Sequence, residues 1–240
     1  MTKAGNSLPC AVAVFACIIV GCASLVEAAG RPVGFTAPDG TSLHGLLYEA
    51  SARPAPGIVL VHMLGRSKDE WSWVADRLQE AGATVLALDL RGHGSSGGSP
   101  ALLAPMVTDV TAAIDWLADR PHVRFGSLAV VGASLGANLA ALAAADRGSV
   151  RAVALVSPSL DYRGVRLDSG TMKKLAGRPV WLAASTEDAY ALRTVKELVS
   201  TGGTREQLLS TARAHGTGLL GADPELARSL MDWLRRTLVF

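Results

Sequence analysis

Short apolar runs alternate with segments of helical periodicity from Arg31 to the end of the chain. The short runs are rich in β-branched residues and bounded by turn residues, so they predict strands, which lie at 33–36, 43–49, 57–62, 85–88, 128–131, 152–156, 180–184 and 207–210. Helical patterns occupy 68–81, 105–119, 134–145, 190–200 and 224–238. This alternation predicts an α/β fold, in which a mostly parallel eight-stranded sheet has helices on both faces.

Residues 1–28 have the pattern of an export leader followed by a short tether, which leaves residues 29–240 as one predicted domain. Lys3 is the first charged side chain, and no other occurs before Glu27. The apolar stretch at 8–20 is too short for a comfortable membrane span and is typical of a secretory signal. An anchor that is never cleaved is the alternative interpretation.

Two cleavage sites compete at the end of this leader. Residues 26–28, Val-Glu-Ala before Ala29, suit an ordinary signal peptidase. Residues 19–22, Ile-Val-Gly-Cys, resemble a bacterial lipobox, in which Cys22 receives a lipid and cleavage occurs just before it.

The three cysteines favour lipidation. Cys10 and Cys17 would leave with the leader, so Cys22 would be the single cysteine of the mature chain. An unpaired cysteine in an exported protein requires an explanation, which a lipid on Cys22 supplies. We therefore expect an exported lipoprotein, anchored to a membrane and facing the periplasm or cell surface, and otherwise a periplasmic or secreted protein.

The net charge and the spacing of possible metal ligands limit the classes of partner and cofactor that we expect. Cleavage before Cys22 leaves 22 basic and 21 acidic side chains, a balance that offers no electrostatic basis for binding nucleic acid. No cluster of His, Cys and carboxylate residues has the spacing of metal ligands. We therefore expect neither a metal nor an organic cofactor.

The strongest chemical signal is Gly132-Ala133-Ser134-Leu135-Gly136, between a predicted strand and a predicted helix. A serine hydroxyl is a weak nucleophile until it is exposed beside a base. A strand that passes into a helix within a few residues holds the serine in a strained, exposed turn, and the glycines make room for it. We predict that Ser134 is a nucleophile; a helix N-cap between packing glycines is the alternative.

A base and an acid follow Ser134 along the chain. His215 lies in the loop 214–218 after the last predicted strand, at the edge where parallel sheets place functional groups. Asp188 comes just past the strand 180–184, where a carboxylate can orient an imidazole and stabilise its charged form. The alternatives are His93 for the base and Glu187 or Asp161 for the acid.

From about Val33 to its end, the chain resembles the α/β-hydrolases, most closely small lidless esterases and dienelactone-hydrolase-like members. Residues 59–65, Val-Leu-Val-His-Met-Leu-Gly, are similar to the family's His-Gly oxyanion loop, and 89–96 are similar to the turn after the next strand. The order of serine, acid and histidine also matches. The resemblance implies that Asp188 is the acid, that His93 is structural and that the 22 residues at 157–178 are too few for a sizeable lid.

The resemblance also implies an oxyanion hole built from two backbone N–H groups. One belongs to Leu135, the residue after the nucleophile, and the other to the loop after His62. Leu64 matches the family's donor position, whereas Met63 replaces its usual glycine and is the second candidate.

These features together predict a serine hydrolase that cleaves a small carboxylic ester or thioester through an acyl-enzyme. Dehalogenases and epoxide hydrolases of this fold would carry aspartate at position 134, and a true dienelactone hydrolase would carry cysteine. A serine peptidase is one alternative. A lipoprotein that uses the fold only to bind a ligand or partner is the other.

Overall fold

The computed structural model describes residues 1–2, 30–175 and 177–240, so Cys22 and the predicted leader from residue 3 onward lie outside the described residues. The strands are β1 (Arg31–Thr36), β2 (Ser42–Tyr48), β3 (Ala55–Val61), β4 (Thr84–Asp89), β5 (Val123–Ala133), β6 (Val150–Val156), β7 (Asp161–Tyr162), β8 (Val165–Arg166), β9 (Val180–Ser185) and β10 (Arg205–Ser210). The helices are α1 (Ser72–Glu80), α2 (Met106–Ala118), α3 (Leu135–Ala145), α4 (Ser169–Lys174), α5 (Ala189–Ser200), α6 (Thr217–Ala222) and α7 (Pro224–Leu238), and a 3₁₀ turn (Lys68–Trp71) precedes α1.

Over these described ranges, eight strands form one sheet in the order β1-β2-β4-β3-β5-β6-β9-β10. The pairs β1–β2 and β2–β4 are antiparallel, and all the other neighbours in this sheet are parallel. The predicted mostly parallel, eight-stranded sheet is therefore confirmed. The carboxyl ends of the parallel strands β3, β5, β6 and β9 meet at one edge, where side chains distant in sequence come together.

The core consists of two apolar layers, one on each face of the sheet. In β3, Val59 and Val61 pack into the layer beneath α2 and α3, whereas Ile58 and Leu60 pack into the layer beneath α1 and α7. Successive side chains of a strand point to opposite faces, so a strand covered on both sides is apolar throughout. This explains why β3 and β4 are buried along their entire length.

The structure differs from the sequence prediction mainly in short elements. The segment 157–178, predicted to be irregular, contains the β7–β8 hairpin and the short helix α4. Helix α6 was not predicted, and the predicted helix 68–81 begins as a 3₁₀ turn. Elements of two to six residues carry too few positions for a periodic pattern to be recognised.

The hairpin and α4 are the regular elements of the short insertion after β6, so within the described residues no sizeable lid covers the site, as predicted. Asn138 of α3 secures this insertion: its side-chain amide donates to the carbonyls of Ser159 and Val165 and accepts the Ser159 N–H. Within the described residues, no helix combines the length and apolar character needed to cross a membrane.

Candidate active site

Ser134 occupies a sharp turn between β5 and α3. Its backbone has φ 52° and ψ −121°, a conformation that non-glycine residues rarely adopt. The Ser134 N–H donates to the Val156 carbonyl at 2.9 Å, which ties the turn to the end of β6. The strain predicted for this turn is therefore present, but Ser134 is buried, with 9% of its surface exposed, and is not exposed as predicted.

The glycines on either side of Ser134 allow the turn to form. A Cβ atom at Gly132 would collide with the carbonyl of Gly136, and a Cβ at Gly136 would collide with the carbonyls of Val61 and His62. The backbone at the start of α3 thus lies directly against the end of β3. Only residues without a side chain permit this approach, which brings Ser134 beside the loop after β3.

The side chains of Ser134, His215 and Asp188 form a continuous hydrogen-bonded series. His215 Nε2 lies 2.8 Å from Ser134 Oγ, and His215 Nδ1 lies 2.5 Å from Asp188 Oδ2. A carboxylate can only accept, so Nδ1 carries the ring hydrogen and leaves Nε2 as the acceptor for the serine proton. His215 lies 81 positions after Ser134 and 27 positions after Asp188, so the structure brings together three residues that are distant in sequence.

The alternative acids and the alternative base lie in other interactions. Asp161 accepts from the Arg166 guanidinium at 2.8 Å and from the Gly164 N–H. Glu187 pairs with Arg213 at 3.4 Å, and His93 Nε2 accepts the Gly65 N–H at 3.1 Å. None of the three alternatives contacts Ser134 or His215 through a hydrogen bond.

Two further contacts orient the acid and the base. Asp188 caps helix α5, because its Oδ1 accepts the Ala191 N–H at 3.0 Å while Oδ2 faces His215. Ser157 has a φ of 51°, and its hydroxyl accepts the Gly216 N–H at 3.0 Å. Sequence reasoning missed Ser157, since a serine after a strand is ordinary until the histidine loop is seen to rest on it.

The loop after β3 presents the candidate oxyanion donors. The Met63 N–H donates to Glu70 Oε1 at 2.8 Å, so this amide is already engaged. Within the described part of the chain, neither the Leu64 N–H nor the Leu135 N–H has a hydrogen-bond acceptor. The pair of amides left open to a ligand is therefore Leu64 and Leu135.

His62 sets the orientation of this loop from the buried core. Its Nδ1 donates to the Met63 carbonyl at 2.7 Å, and its Nε2 accepts the Leu90 N–H at 3.0 Å. Burial lowers the pKa of His62 from its ordinary value near 6.5 to about 4. The ring is therefore neutral near neutral pH, with the hydrogen on Nδ1, as both contacts require.

The site opens to solvent on the side of the acid and the base. A depression of about 620 Å³ is bordered by Asp188, His215 and Arg213. The His215 side chain is 47% exposed, so the base is reachable from solvent. Across residues 30–175 and 177–240, no group of three or more His, Cys, Asp or Glu side chains has the arrangement of a metal site.

Comparison with known proteins decides the family. The family model described as the alpha/beta hydrolase fold matches residues 56–208, more than half of the chain. The chain belongs to the alpha/beta hydrolase fold family. The matched residues include all of β3 except Ala55, the turn that carries Ser134 and the acid Asp188 after β9. This agrees with the resemblance in the sequence.

Curated relatives of this alpha/beta hydrolase are distant. It is 32% identical to the uncharacterized protein YfhR of Salmonella typhimurium over 154 residues, 58% of this chain and 52% of the relative. It is also 32% identical to the polyketide transferase grgF of a Penicillium species, over 55% of this chain and 46% of the relative. The chain thus spans about half the length of these relatives. An uncharacterized Mycobacterium tuberculosis protein is 27% identical and covers 90% of the chain and 82% of its own length.

Solved structures share the fold of this alpha/beta hydrolase. The Pyrococcus furiosus esterase Pf2001 has a TM-score of 0.73 at 17% identity, covering 87% of this chain and 93% of the esterase. A dienelactone hydrolase from Anabaena variabilis has a TM-score of 0.70 at 21% identity, covering 87% of this chain and 99% of its own. At these identities the likeness concerns the fold alone.

Proposed function

We propose that this alpha/beta hydrolase is a serine hydrolase that cleaves carboxylic esters or thioesters through an acyl-enzyme on Ser134. The observation that carries the proposal is the hydrogen-bonded series from Ser134 through His215 to Asp188. Ligand binding alone does not require a serine, a histidine and an acid in this order and at these distances. The open amides of Leu64 and Leu135 support the same chemistry.

In the first half-reaction, Ser134 Oγ attacks the ester carbonyl carbon while its proton passes to His215 Nε2. Asp188 holds the Nδ1 hydrogen and stabilises the imidazolium that forms. The tetrahedral intermediate then expels the alcohol or thiol, which takes the proton from Nε2. In the second half-reaction, water attacks the acyl group, gives a proton to Nε2 and releases the acid as Ser134 regains its hydrogen.

The negative charge of each tetrahedral intermediate falls on the former carbonyl oxygen. The Leu64 and Leu135 N–H groups are the donors that would stabilise it. Removing one such donor costs about 10²–10³ in kcat in well-studied hydrolases. The start of helix α3, with its unpaired N–H groups, also favours negative charge at this position.

The first test is hydrolysis of p-nitrophenyl esters from acetate to decanoate by the chain from Ala29 onward. We expect turnover in the wild type and in the control Ser169→Ala, which alters an exposed serine of α4. Ser134→Ala should lose turnover and labelling by a fluorophosphonate probe, because both need the activated hydroxyl. A wild type that neither turns over esters nor reacts with the probe would refute the proposal and favour the ligand-binding alternative. Cleavage of peptides but not esters would favour a peptidase.

Two curated relatives named polyketide transferases favour a second outcome for the same acyl-enzyme. An alcohol or amine can accept the acyl group in place of water. Adding a short alcohol to the assay and quantifying the new ester measures this partition. Dominant ester formation at low alcohol concentration would make acyl transfer the main reaction, and release of free acid alone would leave hydrolysis.

For the leader, we propose that Cys22 carries a lipid that anchors the exported domain to a membrane. The support is the lipobox pattern at 19–22, together with the expectation that Cys10 and Cys17 leave with the leader, so that Cys22 is the single cysteine of the mature chain. In cells expressing the full chain, Cys22→Ala should abolish incorporation of labelled palmitate, whereas Cys17→Ala should retain it. Equal labelling of both variants would contradict the proposal.

A further inference from the structure

The loop after β3 contacts the loop that carries His215. A Cβ atom on Gly216 would collide with the Met63 sulfur, so the Met63 thioether lies directly against the backbone of the residue after His215. Gly216 has a φ of +58°, a conformation that suits glycine. Met63 therefore bridges the loop of the candidate oxyanion donors and the loop of the candidate base.

Glu70, in the 3₁₀ turn before α1, interacts with both of these loops. Its Oε1 accepts the Met63 N–H at 2.8 Å. Burial raises the pKa of Glu70, and interactions with Met63 and with the Thr217 side chain lower it in part. Thr217 is buried and lies two positions after His215. One half-buried carboxylate thus joins the donor loop to the histidine loop.

The backbone around Met63 is held at both of its peptide groups. Its N–H is bound by Glu70, and its carbonyl accepts from His62 Nδ1 at 2.7 Å and from the Arg66 N–H at 3.2 Å. A trans peptide is planar, so fixing the Met63 carbonyl also fixes the Leu64 N–H, which points the opposite way. The direction of the Leu64 donor therefore depends on contacts made by the residue before it.

We propose that Glu70 is a positioning residue for acyl transfer: its carboxylate withholds the Met63 N–H from the oxyanion hole and holds the loop so that the Leu64 N–H serves as the donor. This inference rests on the proposed function of Ser134. Glu70 does not touch the reacting atoms and acts through Met63. This role explains why methionine can stand at position 63, where the resembling enzymes have glycine. The Met63 amide is bound by Glu70 and its side chain packs on Gly216.

The test compares Glu70→Met, Glu70→Gln and the control Asp69→Asn in the ester assay. Gln keeps an oxygen that can accept the Met63 N–H, whereas Met has similar length and no comparable acceptor. We expect Glu70→Met to lower kcat about 100-fold with KM changed less than about twofold, because the lost stabilisation belongs to the transition state. Glu70→Gln should stay within about tenfold of the wild type. Asp69→Asn, which changes a neighbouring exposed carboxylate, should match the wild type.

A second measurement separates positioning from a structural role. A trifluoromethyl ketone forms a tetrahedral adduct with a serine nucleophile, so its inhibition constant reports on the oxyanion hole. We expect this constant to rise in Glu70→Met by the same factor as kcat/KM falls, and to rise little in Glu70→Gln. A merely structural defect would reduce the fraction of sites titrated by the fluorophosphonate probe and leave kcat per active site and the inhibition constant unchanged.

The outcomes distinguish the two proposals. A wild type without Ser134-dependent turnover and without probe labelling refutes the proposed function, and the role of Glu70 falls with it. A wild type with Ser134-dependent turnover, together with a Glu70→Met variant whose kcat per titrated site is within about twofold of it, overturns only the role of Glu70.

Discussion

At the scale of single residues, the site depends on side chains that make two contacts at once. Asp188 caps α5 with one carboxylate oxygen and faces His215 with the other. The cap restricts rotation of the carboxyl group, so the oxygen that meets His215 is held in place. The helix that follows β9 therefore also orients the base.

Asp188→Asn tests the contact with His215 and leaves the cap of α5 in place. The Asn oxygen can still cap α5, but its NH₂ group faces Nδ1 and forces the ring hydrogen onto Nε2, where it blocks proton transfer from Ser134. We expect kcat for ester hydrolysis to fall by about 10³–10⁴, with little change in Tm. The control is Glu187→Gln, which changes the adjacent carboxylate that pairs with Arg213.

Near-normal turnover in Asp188→Asn would contradict the assignment of the acid. A large loss in Glu187→Gln would point to Glu187 instead. Rate measurements on both variants, with Tm from thermal unfolding, distinguish these outcomes from a general loss of folding.

At the scale of elements, the close approach of α3 to β3 builds the site. Gly136 lies in the first turn of α3 with the carbonyls of Val61 and His62 against its Cα. This contact places the Ser134 turn beside the donor loop. It also makes the first turn of α3 intolerant of any side chain on that face.

Gly136→Ala should therefore destabilise the protein, although alanine is the better helix former. The added methyl group meets backbone atoms, which cannot move aside as a flexible side chain can, and overpacking of this kind costs about 1–3 kcal/mol. Gly218→Ala is the matched control, because Gly218 lies in α6 with open space around its Cα. It should be neutral or more stable by up to about 1 kcal/mol. Urea denaturation measures both, and equal free energies of unfolding would contradict the packing argument.

At the scale of the whole molecule, the sheet and the two apolar layers that pack on it stabilise the fold. His62 lies fully buried directly after β3. Its pKa of about 4 in the folded state, against 6.5 ordinarily, makes stability depend on pH. The unfolded chain takes up a proton on this residue as the pH falls below about 6.5, while the folded chain does not until about 4. Stability is therefore lost as the pH falls through this interval.

The size of this loss of stability follows from the pKa shift of His62. Each pKa unit corresponds to about 1.4 kcal/mol, so His62 should account for up to about 3 kcal/mol of lost stability between about pH 7 and pH 4. His62→Asn should be less stable at neutral pH, because two buried hydrogen bonds are disturbed, but should lack this part of the pH dependence. Urea denaturation across the interval measures both proteins, and parallel curves would contradict the assignment to His62.

Much of this fold was predictable from the sequence, because its long elements repeat a pattern that burial imposes. A strand covered on both faces must be apolar throughout, as β3 is, and a helix over a sheet must be apolar on one face. The motif around Ser134 was recognisable for a similar reason, because the close packing of this turn leaves few alternatives to glycine at Gly132 and Gly136. Asp188 and His215 were predicted from their positions after strands, and the choice of Asp188 over Glu187 and Asp161 came from the resemblance to the α/β-hydrolases.

The short elements and the supporting contacts were decided only by the tertiary structure. Glu70 accepts the amide of Met63, Ser157 accepts the amide of Gly216, and Met63 packs on Gly216. Each contact joins residues from separate elements or loops of the chain. The pattern of hydrophobic and polar residues within each segment gives no sign of the contact. The sequence alone determined which segments meet at the carboxyl edge of the sheet. Which amide is engaged there and which remains open depended on distances that only the folded chain sets.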